Sequence, residues 1–457
     1  MKAFAALLLL PCLSGCQLLA PLETSDFQAP VHWKETRAQG ARHLPDQWWT
    51  LYQDAHLNEL VEGVSTRNLD LRASLARIEQ AYAALGVARA DLFPSLSGEG
   101  SLSRNRLSEA DPNAQFGPNP LTQYQGGAAL SWEIDLWGRV RKLSQAAQAD
   151  AFSVEAATAD LRLSLQSQLA RNYFALRFLD QEERILKNAI QTRQESLEIA
   201  QNRQATGRAT DLEVARAEAE LATRQAEKFQ VQGGRRRLAN ALAVLSGQAP
   251  SDFSLASAPP PRVLPRIQTG LPFETLSARP DVAQALAQIQ AAEARVEVAR
   301  RDFFPRFNLI GSGGLSSIST DEFLEWSSRT FTLGPEVTLP FFQGGRLRAN
   351  LQERRAAHEE AISNYEQTML VALQEVEDAL VDRQALAAEY AAQRRAVKAS
   401  TRASQLSLTR YREGKVDSIE VLDALREELD AERRAAQIRG LQFDASVRLF
   451  QALGARG

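Results

Sequence analysis

The chain has 457 residues, which at roughly 100 to 200 residues per domain leaves room for two to four units. Its 53 Lys and Arg against 56 Asp and Glu give a net charge of −3, so it lacks the basic excess that sequence-independent nucleic-acid binding needs. An apolar fraction of 44% with 24% charged residues excludes wholesale disorder. Only 7% aromatics, with Ala, Leu, Arg, Glu and Gln dominating long stretches, is the composition of long helices.

In chain order, Met1-Lys2 gives a positive start, and Ala3 to Leu10 is an apolar run too short to span a bilayer. Residues 1–15 therefore read as a signal peptide. Leu13-Ser14-Gly15-Cys16 resembles the bacterial lipobox, which implies cleavage before Cys16 and a covalent lipid on it. Gln17 after the cysteine, in place of Asp, resembles lipoproteins sent to the outer membrane. Cys12 lies in the removed segment, so no intramolecular disulfide is possible after processing. No later stretch reaches 18 consecutive apolar residues, which excludes a transmembrane helix.

Residues 16–67 form an N-terminal segment, and the rest is written twice. Val87-Ala88-Arg89-Ala90-Asp91-Leu92-Phe93-Pro94 recurs as Val298-Ala299-Arg300-Arg301-Asp302-Phe303-Phe304-Pro305, identical at six of eight positions. An offset of 207 then pairs Gly138-Arg139 with Gly345-Arg346, Gly207 with Gly414, Glu213-Val214 with Glu420-Val421, and Gly247 with Gly454. The repeats cover 68–250 and 279–457. Between them lies a segment, 251–278, whose Pro259-Pro260-Pro261 and Pro265 read as an extended linker.

Each repeat has the same order of elements. Asn68 to Phe93 and Arg279 to Phe304 are helical in pattern, each stopped by the following proline. Next comes a β-hairpin, about 95–137 and about 306–342. Gly126, Ala128, Leu130, Trp132, Ile134 and Leu136 alternate with polar neighbours, as Phe331, Leu333, Val337, Leu339 and Phe341 do. Ser95 to Arg104 and Arg306 to Ile318 are the weaker partner strands, with tips at Asn105 to Thr122 and Ser319 to Ser327. Arg139 to Thr206 and Arg346 to Glu413 are each 68 residues without Gly or Pro, enough for helices of roughly 100 Å. After Gly207 and Gly414, return helices over 208–246 and 415–453 complete hairpins of rods. Two adjacent apolar stripes on the first rod suit lateral neighbours on both sides; the pattern alone also permits one long antiparallel coiled coil.

His32, His43, His56 and His358 sit in no metal-ligand spacing, and no P-loop, dinucleotide fingerprint or GxSxG elbow is present. Neither an enzyme nor a cofactor is expected. Arg235-Arg236-Arg237 reads as a solvated helix face.

The lipobox, the two Phe-Pro breaks, Asp135-Leu136-Trp137-Gly138-Arg139, the Trp48-Trp49 segment and Arg410-Tyr411-Arg412-Glu413-Gly414 resemble the outer-membrane efflux family, in particular its lipoprotein branch. The resemblance implies a homotrimer whose twelve strands close a barrel in outer-membrane lipid, continuous with a periplasmic α-helical barrel. It further implies a passive exit duct that meets a periplasmic adaptor and, through it, an inner-membrane efflux pump. Independently of the resemblance, four strands cannot close a membrane barrel, since about eight is the smallest seen. Two or three copies would both suffice; the resemblance selects three. Trp132, Trp137, Phe331, Phe341 and Phe342 would fit interfacial girdles.

Matched to the family, Ile419, Glu420, Asp423 and Arg426 line the periplasmic aperture: an apolar constriction, rings of carboxylates that attract cations, and a basic tie between neighbouring chains. Glu420 and Asp423, three apart, share a helix face. The family's closed-state link falls on Tyr411 and Asp211, with Thr210 beside the latter. Val416 replaces an arginine of one family pattern, which leaves the closing network open. The tips around Gly207, Arg208, Gly414 and Lys415 are the expected adaptor docks. The rival reading is a non-conducting periplasmic coiled-coil scaffold lipoprotein, which would leave the paired hairpins without a task.

Overall fold

The computed structural model describes residues 21–22, 24–35, 45–116 and 118–455; the signal peptide, Cys16 and His43 lie outside them. The chain divides into two compact units. Of the described residues, one gathers those of 77–155 and 284–366 with those up to Asp26, and holds the strands. The other gathers 27–76, 156–283 and 367–457, and holds the helical hairpin tips.

The first repeat contributes helix α2 (Leu69–Ala90), strands β1 (Ser95–Asn105) and β2 (Leu121–Ile134), and helices α3 (Arg139–Ala205) and α4 (Asp211–Leu245). Ahead of it stands α1 (Ala55–Arg67), a helix unanticipated in the N-terminal segment. Asp54 caps it by accepting from the amides of His56 and Leu57 at 3.0 and 3.1 Å. The second repeat contributes α6 (Pro280–Arg301), β3 (Arg306–Ser317), β4 (Arg329–Thr338), α7 (Arg346–Arg412) and α8 (Ser418–Ala452). The linker is not wholly extended: it contains a short helix, α5 (Pro272–Leu276), started by a proline at its first position, where no amide hydrogen is needed. The return helices begin at Asp211 and Ser418, three residues later than the sequence pattern placed them. The glycine turns consume those residues. The helices before the strands end at Ala90 and Arg301, three residues early. There a tight turn precedes Pro94 and Pro305, whose rings push the preceding residue out of the α region.

In the strand-bearing unit, the four strands form one antiparallel sheet in the order β1-β2-β3-β4. The hairpins of the two repeats are thus joined through β2 and β3, a pairing that no local pattern announced. Paired residues share a face, so the register defines two surfaces. One row runs Leu96, Leu130, Gly311, Leu333, and the next Trp132, Leu309, Pro335. On the opposite face a row runs Ser97, Ala129, Ser312, Thr332, flanked by Ser101, Gln125 and Ser316. Alternation therefore holds across all four strands.

The Phe-Pro breaks are fastened by tryptophans. Trp132 donates its indole N–H to the Leu92 carbonyl at 3.0 Å, and Trp137 donates to Pro305 at 2.8 Å while stacking on Phe304. Asp135 accepts from the amides of Val140 and Arg141, both at 3.0 Å, and so caps α3; Gly138 (φ 79°) makes the turn between them. Arg139 clasps Glu133 with two bonds of 2.8 and 2.7 Å. These contacts account for the Asp-Leu-Trp-Gly-Arg motif. They also give Trp132 and Trp137 a structural task beyond the girdle role. Phe331, Phe341 and Phe342 are largely exposed, as lipid-level residues would be in a single chain.

The tip-bearing unit is built on an aromatic core of Trp48, Tyr52, Phe174, Phe443 and Phe450, with ring centroids 4.7 to 6.3 Å apart. Tyr52 and Ser446 share a hydrogen bond of 2.6 Å inside it. The linker is held by a buried charge cluster. Asp180, wholly buried, pairs with Arg177 (3.2 Å) and Arg235 (2.7 Å), and these arginines donate onward to the carbonyls of Ala256 and Leu255. Removing one partner of such a buried set leaves an uncompensated charge, at about 3 to 5 kcal/mol.

Where β2 and β3 run side by side at Gly126–Gly127 and Gly313–Gly314, a side chain fits at some positions and not at others. A Cβ on Gly314 would lie 2.3 Å from the Gly126 carbonyl, whereas one on Gly313 would meet nothing within 4 Å. Gly314→Ala should therefore abolish the folded, heat-modifiable oligomer on gels, and Gly313→Ala should leave it intact. Equal tolerance of both would contradict this sheet.

Candidate functional site

Each helical hairpin tip is closed by a glycine in the left-handed region. Gly207 (φ 72°) ends α3, with the amide of Arg208 bonded to the Arg203 carbonyl at 2.8 Å; Gly414 (φ 73°) ends α7, with Lys415 bonded to Arg410 at 2.9 Å. Both are Schellman-type turns, which satisfy carbonyls the helix leaves unpaired. Thr210 then caps α4 in a reciprocal box with Glu213. Gly207, Arg208, Gly414 and Lys415 are all exposed, so the two tips present backbone and cations outward; among the described residues Lys415 pairs only with Glu413, at 2.7 Å.

Beyond the second tip, α8 is two-sided. Val421 and Leu425 are buried and pack with Tyr411, Ile199, Leu408 and Val416. Ile419, Glu420, Asp423 and Arg426 are exposed on the other side. Ile419, Asp423 and Arg426 follow one another at 4 and 3 residues, so one stripe of the helix carries an apolar, an acidic and a basic group. Glu420 sits at its edge, 3.5 Å from the Ser407 hydroxyl. Arg426 reaches Asp423 at 3.3 Å and, more closely, Glu220 of α4 at 2.6 Å. The Glu220 carboxylate therefore raises its pKa above that of a free guanidinium. Within one chain, the basic group expected to tie neighbouring copies joins the two hairpins of the same copy.

That contact begins a ladder. Glu220 also faces Arg224 at 3.5 Å, Arg224 bonds Glu227 at 2.9 Å, and Arg433 of α8 bridges Glu227 (3.1 Å) and Glu182 of α3 (2.6 Å). Beneath it, the buried Arg193 donates to the backbone carbonyl of Leu425 at 2.9 Å. Burial pulls the Arg193 pKa down, and nearby Arg224 adds to the effect. Sequence reading found the acid–base stripe at 419–426 and missed the ladder. Glu220, Arg224 and Glu227 stand at helical spacing and could have been noticed, but the cross-helix role of Arg433 has no local signature. The partly exposed pairs of Arg426 and Arg433 contribute about 0.2 to 1 kcal/mol each, whereas Arg224 is buried. Such links hold an alignment yet can be broken.

The expected closed-state link does not form within the chain. Tyr411 is buried and its hydroxyl makes no hydrogen bond among the described residues. Its ring instead lies under the Arg203 guanidinium, 4.7 Å from the centroid, and Arg203 donates to the Tyr411 carbonyl at 3.1 Å. Asp211 accepts from Gln204 at 2.6 Å, and Thr210 serves as the cap. Burial raises the Tyr411 pKa, with Arg203 opposing and Glu213 adding, so the phenol stays neutral through the physiological range. Val416, at the place of the missing arginine, packs in the apolar cluster around the ring.

A family model described as outer membrane efflux protein matches residues 60–248 and 271–455. The chain belongs to the outer membrane efflux protein family. Over 98% of its length it is 31% identical to outer membrane protein OprJ of Pseudomonas aeruginosa, covering 95% of that protein. It is 32% identical to the pyoverdine export outer membrane protein OpmQ of Pseudomonas putida, across 97% of this chain and 95% of that one. Among solved structures it is similar to the outer-membrane channel OprN, with a TM-score of 0.89 and 29% identity, over 96% of this chain and 99% of that one. The family places the chain in the outer membrane, with a helical part in the periplasm. No helix among the described residues is long and apolar enough to cross a membrane.

Removing a buried hydroxyl that has no partner should be nearly neutral. Tyr411→Phe is therefore expected to leave stability and single-channel conductance unchanged. Tyr411→Ala, which empties the cluster, should lower stability by about 3 kcal/mol or more. A conductance increase in the Phe variant would restore the hydroxyl as a closing contact between copies.

Proposed function

We propose that the chain is a passive conduit, not an enzyme: the outer-membrane exit duct of a tripartite efflux system, assembled as a homotrimer. The observation that carries this reading is the sheet with one apolar face, one polar face and two unpaired edges. In lipid, each unpaired backbone group costs several kcal/mol, so the edges must close on further copies. Four strands from each of three copies give twelve, a barrel wide enough for a water-filled lumen. The polar rows of Ser, Gln and Thr then line the lumen, and the Leu, Trp and Phe rows meet lipid. A coiled-coil scaffold would have no use for this alternation.

In this reading Cys16 carries the lipid anchor, and no cofactor takes part. The exposed stripe of α8 faces the axis at the periplasmic end. Ile419 narrows the aperture, Glu420 and Asp423 form acidic rings that favour cations, and Arg426 locks α8 to α4 through Glu220. The tips at Gly207-Arg208 and Gly414-Lys415 dock the periplasmic adaptor, which connects the duct to an inner-membrane pump.

Two outcomes follow. Asp423→Ala combined with Arg426→Ala removes a charge ring and the link to Glu220, and should raise single-channel conductance and weaken cation preference in planar bilayers. Unchanged conductance in an assembled trimer would remove the gate from these residues. Arg208→Glu with Lys415→Glu should abolish efflux-dependent resistance while trimer assembly on gels is unaffected. Undiminished resistance would rule out docking at these cations.

A further inference from the structure

The apolar face of the sheet ends in two arginines, one on each edge strand. Arg104 is the penultimate residue of β1 and Arg329 the first of β4, at the ends remote from the helices. Arg329 pairs across β3 with Leu315, and Arg104 pairs with Thr122. That register puts both on the same face as Leu102, Phe331 and Leu333. Both are exposed, and neither has a carboxylate partner among the described residues. Arg106, just past the strand, does have one: Glu109 at 3.1 Å. The Arg329 guanidinium lies 4.1 Å from the centroid of the exposed Trp326 ring and donates weakly to that residue's carbonyl at 3.4 Å. One flat side of the guanidinium is thus covered by indole, and most of its N–H donors remain open.

A cation on the lipid side of a barrel is costly at mid-membrane and nearly free at the interface, which sets these arginines at headgroup level. The donor fork of a guanidinium matches a phosphate bidentately. When copies close the barrel, β4 of one runs beside β1 of the next, so each seam is flanked by one Arg329 and one Arg104. We propose that each seam binds the phosphorylated headgroup of an outer-leaflet lipid, with its acyl chains along Leu102, Phe331 and Leu333. The site rests on the reading of the sheet as a share of a membrane barrel. It adds a lipid that bridges copies at the joint where no covalent connection exists.

The test uses the purified full-length oligomer in detergent, with bis-phosphorylated lipid A, its dephosphorylated form, and inorganic phosphate as probes. Wild type should retain the phosphorylated lipid in native mass spectra and resist thermal dissociation in its presence. Arg104→Gln with Arg329→Gln should bind it at least about tenfold more weakly. Arg329→Lys, which keeps the charge and loses the fork, should fall between them. Equal binding by wild type and the double variant would overturn the site. So would equal binding of both lipids, or full protection by inorganic phosphate alone. Planar-bilayer conductance separates the two readings. A conducting channel whose lipid binding is indifferent to both arginines refutes only the lipid site, whereas an intact wild-type oligomer that never conducts refutes the duct and this site together.

Discussion

Backbone hydrogen bonding in a medium without water is the constraint on which the rest of this structure depends. The sheet has four strands and two open edges, and inside a bilayer every unpaired amide and carbonyl on those edges is a cost of several kcal/mol. No side-chain substitution can relieve that cost; only another strand can. In the proposed duct, assembly is therefore part of folding. The two-faced alternation follows from the same setting, because lipid rewards one surface and a water-filled lumen the other. Gly126, Gly127, Gly313 and Gly314 let β2 and β3 approach closely in the middle of the sheet, where the Cβ of any other residue at 127 or 314 would strike backbone.

The helical hairpin tips obey different energetics. The aromatic core around Trp48 and Tyr52 and the Asp180–Arg177 pair are enclosed, where losing a partner costs several kcal/mol. The contacts that align α8 with α4 and α3 are partly exposed ion pairs of about 0.2 to 1 kcal/mol each. That difference makes the core hard to disrupt and the contacts between α8 and its neighbours easier to break. In the proposed duct, an aperture held by Arg426 and Glu220 would open with the modest binding energy of a partner. One held by buried pairs could not.

The periodic features were legible in the sequence because they are written in residue types. The duplication, the glycine turns at 207 and 414, the uninterrupted rods and the alternating strands all rest on local chemistry. What escaped depends on contacts between distant segments. The β2–β3 pairing joins residues 124–134 to 307–317, and nothing local selects that partner. Trp132 and Trp137 read as girdle aromatics, yet their N–H groups fasten Leu92 and Pro305. Arg433 is one arginine among many until α3 and α4 stand beside it. Tyr411 and Asp211 were paired by resemblance, and within the chain Arg203 and Gln204 occupy them instead. Short surprises, such as α5 within the linker and the late starts of α4 and α8, arise at turns, where a few residues of capping chemistry decide the boundary.

In the proposed duct, copies of this sheet close into a conducting pore. This closure is tested most directly by single-channel recording of the purified wild-type oligomer in planar bilayers under a salt gradient, on a preparation whose subunit number has been determined by mass. A trimer that passes discrete, cation-preferring current steps is the expected result. Intact oligomers that pass no current, or a dimer that conducts, would contradict it.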